Sequence, residues 1–405
     1  MPAPARVAFL LFSVDGVGGI ARTVVNLANR LADTYDVELI SLHRHKARSA
    51  YAVDDRITVS YLHDARPVES GQRVDGQVRA KDARADQGRL RAFLDGRTSR
   101  LAPPEAAPDI SRLTDLLLRR KLRSMPPGIL VSTRPSLHAA AARYAPRHLI
   151  TVAQDHLNFE SRSRTPALLE VIERSAPKLD CFVALTDADR EDYARLLAGS
   201  GTAVACIPNA APWPIGESST LDGKVVVAAG RLAARKGFPR LVRAYAPIAR
   251  AHPDWQLHIY GNGPERSALR RLISNRDLGS QIVLRSHSDD IESVYLSSAV
   301  FALSSHAEGF SMVLIEAMSK GLPVVSFDIP RGPAEVIRDG HNGRLVKDGD
   351  LPGFTAALAQ IIEDDDLRHR MGAAALATAK EYDTDTIAGR WVALFDRLQL
   401  ERGAT

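Results

Sequence analysis

Short apolar runs and helical patterns alternate from one end of the chain to the other. The first run, Val7–Phe12, is followed by apolar residues at helical spacing from Ile20 to Leu31. Further apolar runs, typical of buried strands, lie at 37–42, 57–62, 129–132, 149–153, 181–185 and 203–207. Strands that alternate with helices require right-handed crossovers and form a parallel sheet buried on both faces. We therefore predict a doubly wound α/β domain over residues 1–210.

A second alternation follows a break in this pattern. Residues from Pro208 to Ser219 are rich in Pro, Gly and Ser and lack periodicity, which is typical of a linker. Strands are then predicted at 224–229, 256–260, 282–284, 300–304 and 323–327, and helices at 238–251, 265–273, 291–297, 311–320 and throughout 351–400. The patterns predict a linker at 211–222, a second α/β domain at 223–383 and a C-terminal helix at 384–405 that returns to the first domain.

The predicted fold class is α/β, with two doubly wound, Rossmann-like parallel-sheet domains facing each other across a cleft. Open α/β sheets bind ligands outside the carboxyl ends of their strands. Residues that directly follow a predicted strand are therefore the first candidates for chemistry.

The composition is that of a globular protein, with 45% hydrophobic and 25% charged residues. No apolar run approaches the ~20 residues needed to cross a bilayer, and the N-terminus lacks a signal-peptide pattern. We expect a cytoplasmic protein. Cys181 and Cys206, the only cysteines, lie in strand-like runs, so we expect them to pack in the interior without forming a disulfide or a metal site.

The net charge of +5 comes from one segment. Residues 61–125 hold 14 Lys plus Arg against 9 Asp plus Glu, which equals the excess of the whole chain. The segment contains a basic insertion at about 64–125 that ends in an amphipathic stretch, Leu116–Arg123. Such a stretch can lie on an anionic membrane at the inner face, guide an anionic acceptor, or simply be a solvated surface. Nucleic acid is not expected, because stacking aromatic residues are scarce there.

Two carboxylates flank a predicted helix start in the second domain. Glu308 precedes the helix and Glu316 lies inside it, eight positions later. A helix start attracts phosphate, because its first N–H groups are unpaired and its dipole is positive there. The pair could hold a nucleotide diphosphate between a sugar and a ribose.

Two cations follow the first strand of the same domain. Gly230 and Arg231 open the loop, and Lys236 lies at the entry of the next helix. Permanent cations there can neutralise a diphosphate as it accumulates negative charge in a leaving group. A similar turn at Gly261 and Gly263 offers backbone contacts to a phosphate or base, although a structural turn is the simpler interpretation, with Pro264 expected at the first helical position.

No Asp or His cluster has metal-ligand spacing. Asp289 and Asp290 precede an apolar helical run, and helix capping explains them better than a metal does. We expect no metal and no cofactor beyond a nucleotide-sugar co-substrate.

The first domain offers a glycine cluster and one histidine. The run Gly16–Ala21, which contains Gly18 and Gly19, fits G-x-G-x-x-A, although three residues separate the first glycine from its strand and no acidic residue follows the second strand. Arg44 could instead accept the 2′-phosphate of NADP. His156 follows a strand and can bind a sugar hydroxyl or move a proton near neutral pH.

Taken together, these motifs resemble the family 4 glycosyltransferases, which are retaining sugar-nucleotide transferases with the GT-B fold. The resemblance spans nearly the whole chain. It rests on five motifs in order: Gly230-Arg231-Leu232 with Lys236-Gly237, Gly261-x-Gly263-Pro264, Glu308-Gly309-Phe310 with Glu316-Ala317-Met318, Gly321-Leu322-Pro323-Val324-Val325, and Asp339-Gly340-x-Asn342-Gly343. Two positions depart from the common pattern, Arg235 where members often carry Glu and Ser311 where Gly or Pro is frequent. Residues 330–335 resemble members that build cell-surface polymers, including teichoic-acid glycosyltransferases.

The resemblance implies a metal-independent, retaining hexosyltransferase that uses front-face attack. The donor is a nucleotide sugar, with a UDP-sugar favoured over a GDP-sugar, and the acceptor is a sugar, a lipid-linked molecule or a polymer. In the second domain, the resemblance implies that Arg231 and Lys236 bind the diphosphate, that Glu308 binds the sugar hydroxyls and that Glu316 binds the ribose. It also implies that the donor is surrounded by the backbone of Gly230, Gly261, Gly263, Gly309, Phe310, Ser311 and Met312. In the first domain, it implies that Gly18 and Gly19 lie near the diphosphate and that His156 lies near the sugar.

Two other hypotheses remain open at the level of sequence. One is a two-domain NADP-dependent oxidoreductase, based on the glycine cluster and Arg44. The other is a non-catalytic protein that binds sugar nucleotides or polyanions through its basic insertion. The donor sugar and base, the acceptor, the linkage and the oligomeric state are not encoded in a recognisable pattern.

Overall fold

The computed structural model describes residues 5–16, 18–66 and 90–403, and it divides into two compact units. The first unit contains the residues up to Ile207 together with those from Ala388 onwards, and the second runs from Pro208 to Ile387. Residues 211–222, predicted to link two domains, group with the second unit. Trp213 is buried there and donates through Nε1 to the hydroxyl of Ser319, at 2.7 Å.

The first unit is built on a seven-stranded parallel sheet with strand order β3-β2-β1-β4-β5-β6-β7. Its strands are β1 Arg6–Leu11, β2 Asp36–Arg44, β3 Thr58–Asp64, β4 Gly128–Ser132, β5 Leu149–Gln154, β6 Cys181–Ala184 and β7 Ala203–Cys206. Its helices are α1 Gly19–Leu31, α2 Arg112–Arg123, α3 Pro135–Tyr144, α4 Phe159–Ser163, α5 Pro166–Ser175 and α6 Asp187–Leu196, with a short helical stretch at 90–95. The central strands are buried along almost their whole length because helices cover both faces of the sheet.

The second unit repeats this plan with a six-stranded parallel sheet, in the order β10-β9-β8-β11-β12-β13. Its strands are β8 Val225–Ala229, β9 Gln256–Tyr260, β10 Ile282–Arg285, β11 Val300–Leu303, β12 Val324–Asp328 and β13 Gly343–Lys347. Its helices are α7 Phe238–Ala251, α8 Arg266–Ser274, α9 Ile291–Leu296, α10 Met312–Met318, α11 Pro333–Val336, α12 Leu351–Glu363 and α13 Asp365–Lys380. Its apolar core packs α7, α8 and α12 against the sheet.

The last helix, α14 Thr384–Gly403, packs with its larger part in the first unit. Trp391 and Phe395 are fully buried, and the Phe395 ring meets that of Tyr35 edge-on at 5.8 Å. Arg402 also pairs with Asp180 at 3.3 Å. Large aromatic side chains contribute most of the apolar area at such a contact.

The predicted doubly wound sheets are confirmed, with three local differences. The strand Gly343–Lys347 was not predicted, because it is a short sheet edge in which Gly, Arg and Lys dilute the apolar signal. The helix predicted at 265–273 begins at Arg266, so Pro264 lies in the preceding turn and not at the first helical position. Within the basic insertion, Arg112–Arg123 is a helix, while residues 67–89 lie outside the described part of the chain.

No helix in the described ranges has both the length and the apolar character that crossing a membrane requires. Cys181 is buried and Cys206 is half-buried, and no disulfide joins them. Burial raises the pKa of the Cys181 thiol to about 12.

Two glycines let the loops after β8 and β9 lie directly against each other. A methyl group on Gly261 would overlap the carbonyl oxygen of Gly230, and one on Gly263 would overlap that of Leu232. Both glycines have positive φ, near 153° and 159°. Leu232 donates to the carbonyl of Asn262 at 2.9 Å, which fixes the contact. The spacing Gly261-x-Gly263 is therefore explained by backbone packing.

We predict that Gly261→Ala destabilises the second unit by more than about 2 kcal/mol, because the new methyl group meets backbone and φ is unfavourable. Differential scanning calorimetry should show a lower unfolding temperature for this unit. Gly279→Ala is the matched control, since nothing lies within 4 Å of the methyl group that it adds. Equal unfolding temperatures for the two variants would contradict the packing role of Gly261.

Candidate functional site

The second sheet reverses its strand order between β8 and β11, and two predicted site residues meet there. Lys236 follows β8 and Glu308 follows β11, and Lys236 Nζ lies 2.7 Å from Glu308 Oε1. Their side chains are only 15% and 7% exposed. Ligands of doubly wound sheets bind at this reversal, outside the carboxyl ends of the strands. The pair is therefore placed where a nucleotide would be expected.

The loop that carries Glu308 is fixed by its own neighbours. The hydroxyl of Ser305 donates a hydrogen bond to Glu308 Oε1. The amide of His306 donates to the carbonyl of Arg235 at 2.8 Å, which ties this loop to the one that carries Lys236. An ion pair with little exposure needs such additional hydrogen bonds to offset desolvation of its charges.

Arg240, which was not identified from the sequence, also fixes the loop that carries Glu308. It is 7% exposed and donates to the carbonyls of Ser304, at 2.6 Å, and Ser305. Its guanidinium also pairs with Asp348 at 2.6 Å and lies 4.0 Å above the ring of Phe327. The planar fork of arginine suits several acceptors at once. The only sequence signal for this role is a charged residue among the buried positions of an amphipathic helix.

Gly230 and Arg231 begin the loop that leads from β8 to Lys236. Gly230 has φ near 153°, and a methyl group there would lie 3.5 Å from Lys236 Cε. Glycine thus leaves room for the lysine stem. Arg231 is exposed on the same loop, at the carboxyl end of β8.

The loop after β12 closes over the residues that follow β11. A methyl group on Gly332 would lie 2.9 Å from Ser311 Oγ and 3.6 Å from Glu308 Cβ, and Gly332 has φ near 105°. The hydroxyl of Ser311 is buried and has no hydrogen-bond partner within the described residues. Leaving a buried polar group unsatisfied costs about 1–3 kcal/mol, so such groups are characteristic of functional sites.

Glu308 precedes helix α10 and Glu316 lies inside it, as the spacing predicts. The hydroxyl of the buried Tyr295 donates to Glu316 Oε2 at 3.3 Å. Between the glutamates, Phe310 is buried and its carbonyl accepts from the amide of Met312 at 2.7 Å. Gly309, half-buried, completes the loop.

In the first unit, Gly18 and Gly19 line a cavity of about 410 Å³. The cavity lies where that sheet reverses its order, between β1 and β4. Arg134, which precedes α3, also lines it and was not identified from the sequence. Its guanidinium carbon lies 4.9 Å from the ring centre of Phe12, and burial lowers the pKa of Arg134. A desolvated cation facing glycine backbone can bind an anionic group.

Asp15 fixes the loop between β1 and α1. Its carboxylate accepts from the amide of His45, at 2.7 Å, and from the amide of Lys46 and the hydroxyl of Ser13. Burial opposes ionisation, but these hydrogen bonds outweigh it and lower the pKa of Asp15. The three residues that separate Gly16 from its strand therefore anchor the loop. Arg44 donates to the carbonyls of Lys46 and Ala47.

His156 follows β5 and is buried, with 8% exposure. The preceding residue, Asp155, accepts from Arg162 Nε at 2.7 Å and from the hydroxyl of Tyr193 at 3.0 Å. Burial alone would raise the pKa of Asp155, but the charge of Arg162 and these hydrogen bonds lower it. Asn158, two residues after His156, caps α4 by accepting from the amide of Ser161 at 2.7 Å. His156 thus lies between two anchored residues.

Among the described residues, no group of three or more His, Cys, Asp or Glu side chains is arranged to hold a metal ion. Asp290 accepts from the amide of Ser293 at 3.1 Å and caps α9, which confirms the capping interpretation.

Residues 215–378 match the family model described as glycosyl transferases group 1. Over 400 residues, the chain is 32% identical to an exopolysaccharide phosphotransferase of Streptomyces coelicolor, a match that covers 98% of this chain and 41% of that protein. That name therefore describes a protein of which this chain spans less than half. An uncharacterized glycosyltransferase of Haemophilus influenzae is 22% identical over 95% of this chain and 98% of its own length.

Among solved structures, the fold is similar to that of TarM from S. aureus in complex with fondaparinux, α-GlcNAc-glycerol and UDP. The TM-score is 0.74, the identity is 15%, and the match covers 96% of this chain and 99% of that one. At this identity the likeness shows the fold alone. Residues 215–378 therefore form a glycosyl transferases group 1 domain, and the two parallel-sheet units have the GT-B fold.

Proposed function

We propose that the chain transfers a hexose from a nucleoside diphosphate sugar to a hydroxyl of a cell-surface polymer or its precursor, with retention of configuration and without a metal ion. The observation that carries the proposal is the Lys236–Glu308 pair at the strand reversal of the group 1 domain. It supplies one cation for phosphate and one carboxylate for sugar hydroxyls within a single rigid unit.

In this proposal Lys236 and Arg231 bind the diphosphate. An ammonium has three N–H donors, and Glu308 accepts one of them. The same lysine can therefore orient Glu308 and donate to a phosphate oxygen. Glu308 would accept from sugar hydroxyls, and Glu316 from the ribose. The buried hydroxyl of Ser311, next to Glu308 and Gly332, supports a polar ligand at this loop.

The chemical step would break the bond between the anomeric carbon and the diphosphate oxygen. The acceptor oxygen would form its bond to the same face of that carbon, and its proton would pass to the leaving phosphate oxygen. Negative charge grows on the diphosphate during this step, so Arg231 and Lys236 would stabilise the transition state more than the ground state. The roles of Gly18, Gly19 and His156 stay predictions from the family resemblance.

A UDP-sugar donor and a polymer acceptor are the favoured substrates. The structure similar to this fold holds UDP and α-GlcNAc-glycerol, and the Streptomyces relative is named for an exopolysaccharide. These names support the choice of substrates to test first.

We predict that Lys236→Ala and Glu308→Ala each reduce sugar transfer by on the order of a hundredfold, because each removes a group aimed at the transition state. Transfer and donor hydrolysis should be measured with UDP-sugars. Lys224→Ala is the matched control, because Lys224 directly precedes β8 and forms an exposed ion pair with Asp254. Wild-type rates in both site variants would refute the proposed site.

We predict that Arg240→Lys lowers the transfer rate by about tenfold to a hundredfold, because a misplaced Glu308 loop costs catalysis. Arg240→Met should be worse than Arg240→Lys if Arg240 acts by positioning. Arg243→Lys, on the exposed face of the same helix, is the control. A decrease of activity only in proportion to the unfolded fraction, measured by circular dichroism, would contradict a positioning role for Arg240.

We predict that UDP binds to the second unit more tightly than NADP does. Isothermal titration with UDP, GDP, ADP and NADP measures this directly, and Lys236→Ala should weaken UDP binding. Tight binding of NADP alone would favour the oxidoreductase hypothesis, and UDP binding without turnover on any acceptor would favour a non-catalytic binding protein.

A further inference from the structure

Five arginines surround one cavity of about 260 Å³ in the first unit, apart from the predicted site residues. The cavity lies between helix α2, the end of helix α3 and the loop before α2, and it is lined by Arg100, Arg112, Arg119, Arg123, Arg143, Leu116 and Tyr144. Arg112, Leu116, Arg119 and Arg123 recur at spacings of four, three and four along α2, so they occupy a single face of that helix.

On the opposite face of α2, a cation with a structural role is paired with a buried carboxylate. Lys121 pairs with Glu38, whose carboxylate is 2% exposed and also binds Arg6 at 2.8 Å. Burial opposes ionisation of Glu38, but hydrogen bonds from Lys121 and Ser60 outweigh it and lower the pKa of Glu38. The cation on this face is therefore neutralised by a buried partner.

The cavity face differs, because most of its charge has no counterpart. Arg112 pairs with Asp115 at 3.3 Å. Within the described residues, no carboxylate pairs with Arg100, Arg119, Arg123 or Arg143. Helix dipoles favour cations in a last turn, which accounts for Arg123 and Arg143 but not for the others. These four side chains are exposed, so water weakens their repulsion, and their charge is available to an anionic ligand.

The arginines are held on a rigid frame. The buried carboxylate of Asp115 accepts from the hydroxyl of Ser99, at 2.6 Å, and from the amide of Arg100, at 2.7 Å. The loop that carries Arg100 is thereby fixed to α2. Ser111 and Thr114 form a capping box at the start of the helix. The backbone positions of these arginines are thus fixed, and their forked guanidinium groups suit phosphate, which arginine binds through two parallel hydrogen bonds.

A larger cavity of about 620 Å³ continues from the first one and shares Arg100 and Arg143 with it. Its wall combines small and apolar residues, such as Pro103, Ala139 and Ala142, with the cations Arg174 and Lys178 and one carboxylate, that of Glu170, which pairs with Arg174. An extended ligand could therefore place one anionic group among the five arginines and its uncharged backbone along this wall.

We infer that the two cavities bind a phosphodiester-linked polyol or sugar chain, the acceptor polymer in the proposed function on which this inference rests. A polymer fits these cavities better than a lipid bilayer does, because the guanidinium groups surround a cavity and do not form a flat face. Helix α3 follows β4, so Arg143 lies at the end of α3 farthest from the carboxyl edge of the sheet, roughly 15 Å along a ten-residue helix. The cavities would hold the polymer away from the reacting end.

The test measures, by fluorescence anisotropy, the direct binding of a short poly(glycerol phosphate) polymer to the whole protein in the absence of nucleotide. Arg119→Gln/Arg123→Gln should weaken binding by on the order of tenfold, because charge-assisted hydrogen bonds are lost. Arg143→Gln, on a different helix, should weaken binding as well. Arg250→Gln/Arg276→Gln removes two exposed charges from the second unit and should leave binding unchanged.

Wild-type affinity in the Arg119→Gln/Arg123→Gln variant would overturn the inference, and so would an equal loss in the Arg250→Gln/Arg276→Gln control. Binding of phosphatidylglycerol vesicles, but not of the polymer, through Arg119 and Arg123 would assign the surface to a membrane instead. UDP titration on the same samples keeps the two proposals separate. Loss of polymer binding with normal UDP binding concerns these cavities alone, whereas failure to bind UDP concerns the donor site.

Discussion

The parallel direction of the strands is the constraint on which the rest of this molecule depends. Parallel strands cannot be joined by tight hairpins, so each one is followed by a crossover that covers a face of the sheet. The strands are then buried on both sides, and loops at one edge become the places where polar side chains can be presented. In both units the site candidates follow strands at the reversal of strand order: Gly18 and Arg134 in the first, Lys236 and Glu308 in the second.

This constraint explains why much of the fold could be predicted from the sequence. Runs such as Val225–Ala229 and Val300–Leu303 are continuous apolar stretches, because a parallel strand has two buried faces. Once these strands are located in the sequence, the rule that ligands bind at their carboxyl ends makes Lys236 and Glu308 candidates, and the neighbouring motifs suggest their roles. The edge strand Gly343–Lys347 escaped prediction for the same reason, since an edge strand does not need a continuous apolar run.

The supporting residues could not be predicted, because their roles depend on contacts between distant segments. Arg240 resembles any cation on an amphipathic helix until its contacts with Ser304 and Asp348, which lie 64 and 108 positions away, are known. Asp155 acquires its partners Arg162 and Tyr193 only through the packing of two helices beside β5. The glycines of the β9 loop were open to a ligand-binding interpretation from spacing alone, whereas the structure shows backbone packing against Gly230 and Leu232.

The partners of the cations in the described part of the chain differ between supporting residues and candidate ligand-binding residues. Arg162 and Lys121 face buried carboxylates that neutralise them, and Arg240 is shared among two carbonyls and Asp348. Lys236 is paired as well, but its partner is itself a predicted ligand-binding group at the carboxyl edge of the sheet. The arginines around the α2–α3 cavity fit neither pattern, because the charge of four of them is not balanced by any described carboxylate. These four side chains are exposed, so water screens their mutual repulsion, and they remain available to an anionic ligand.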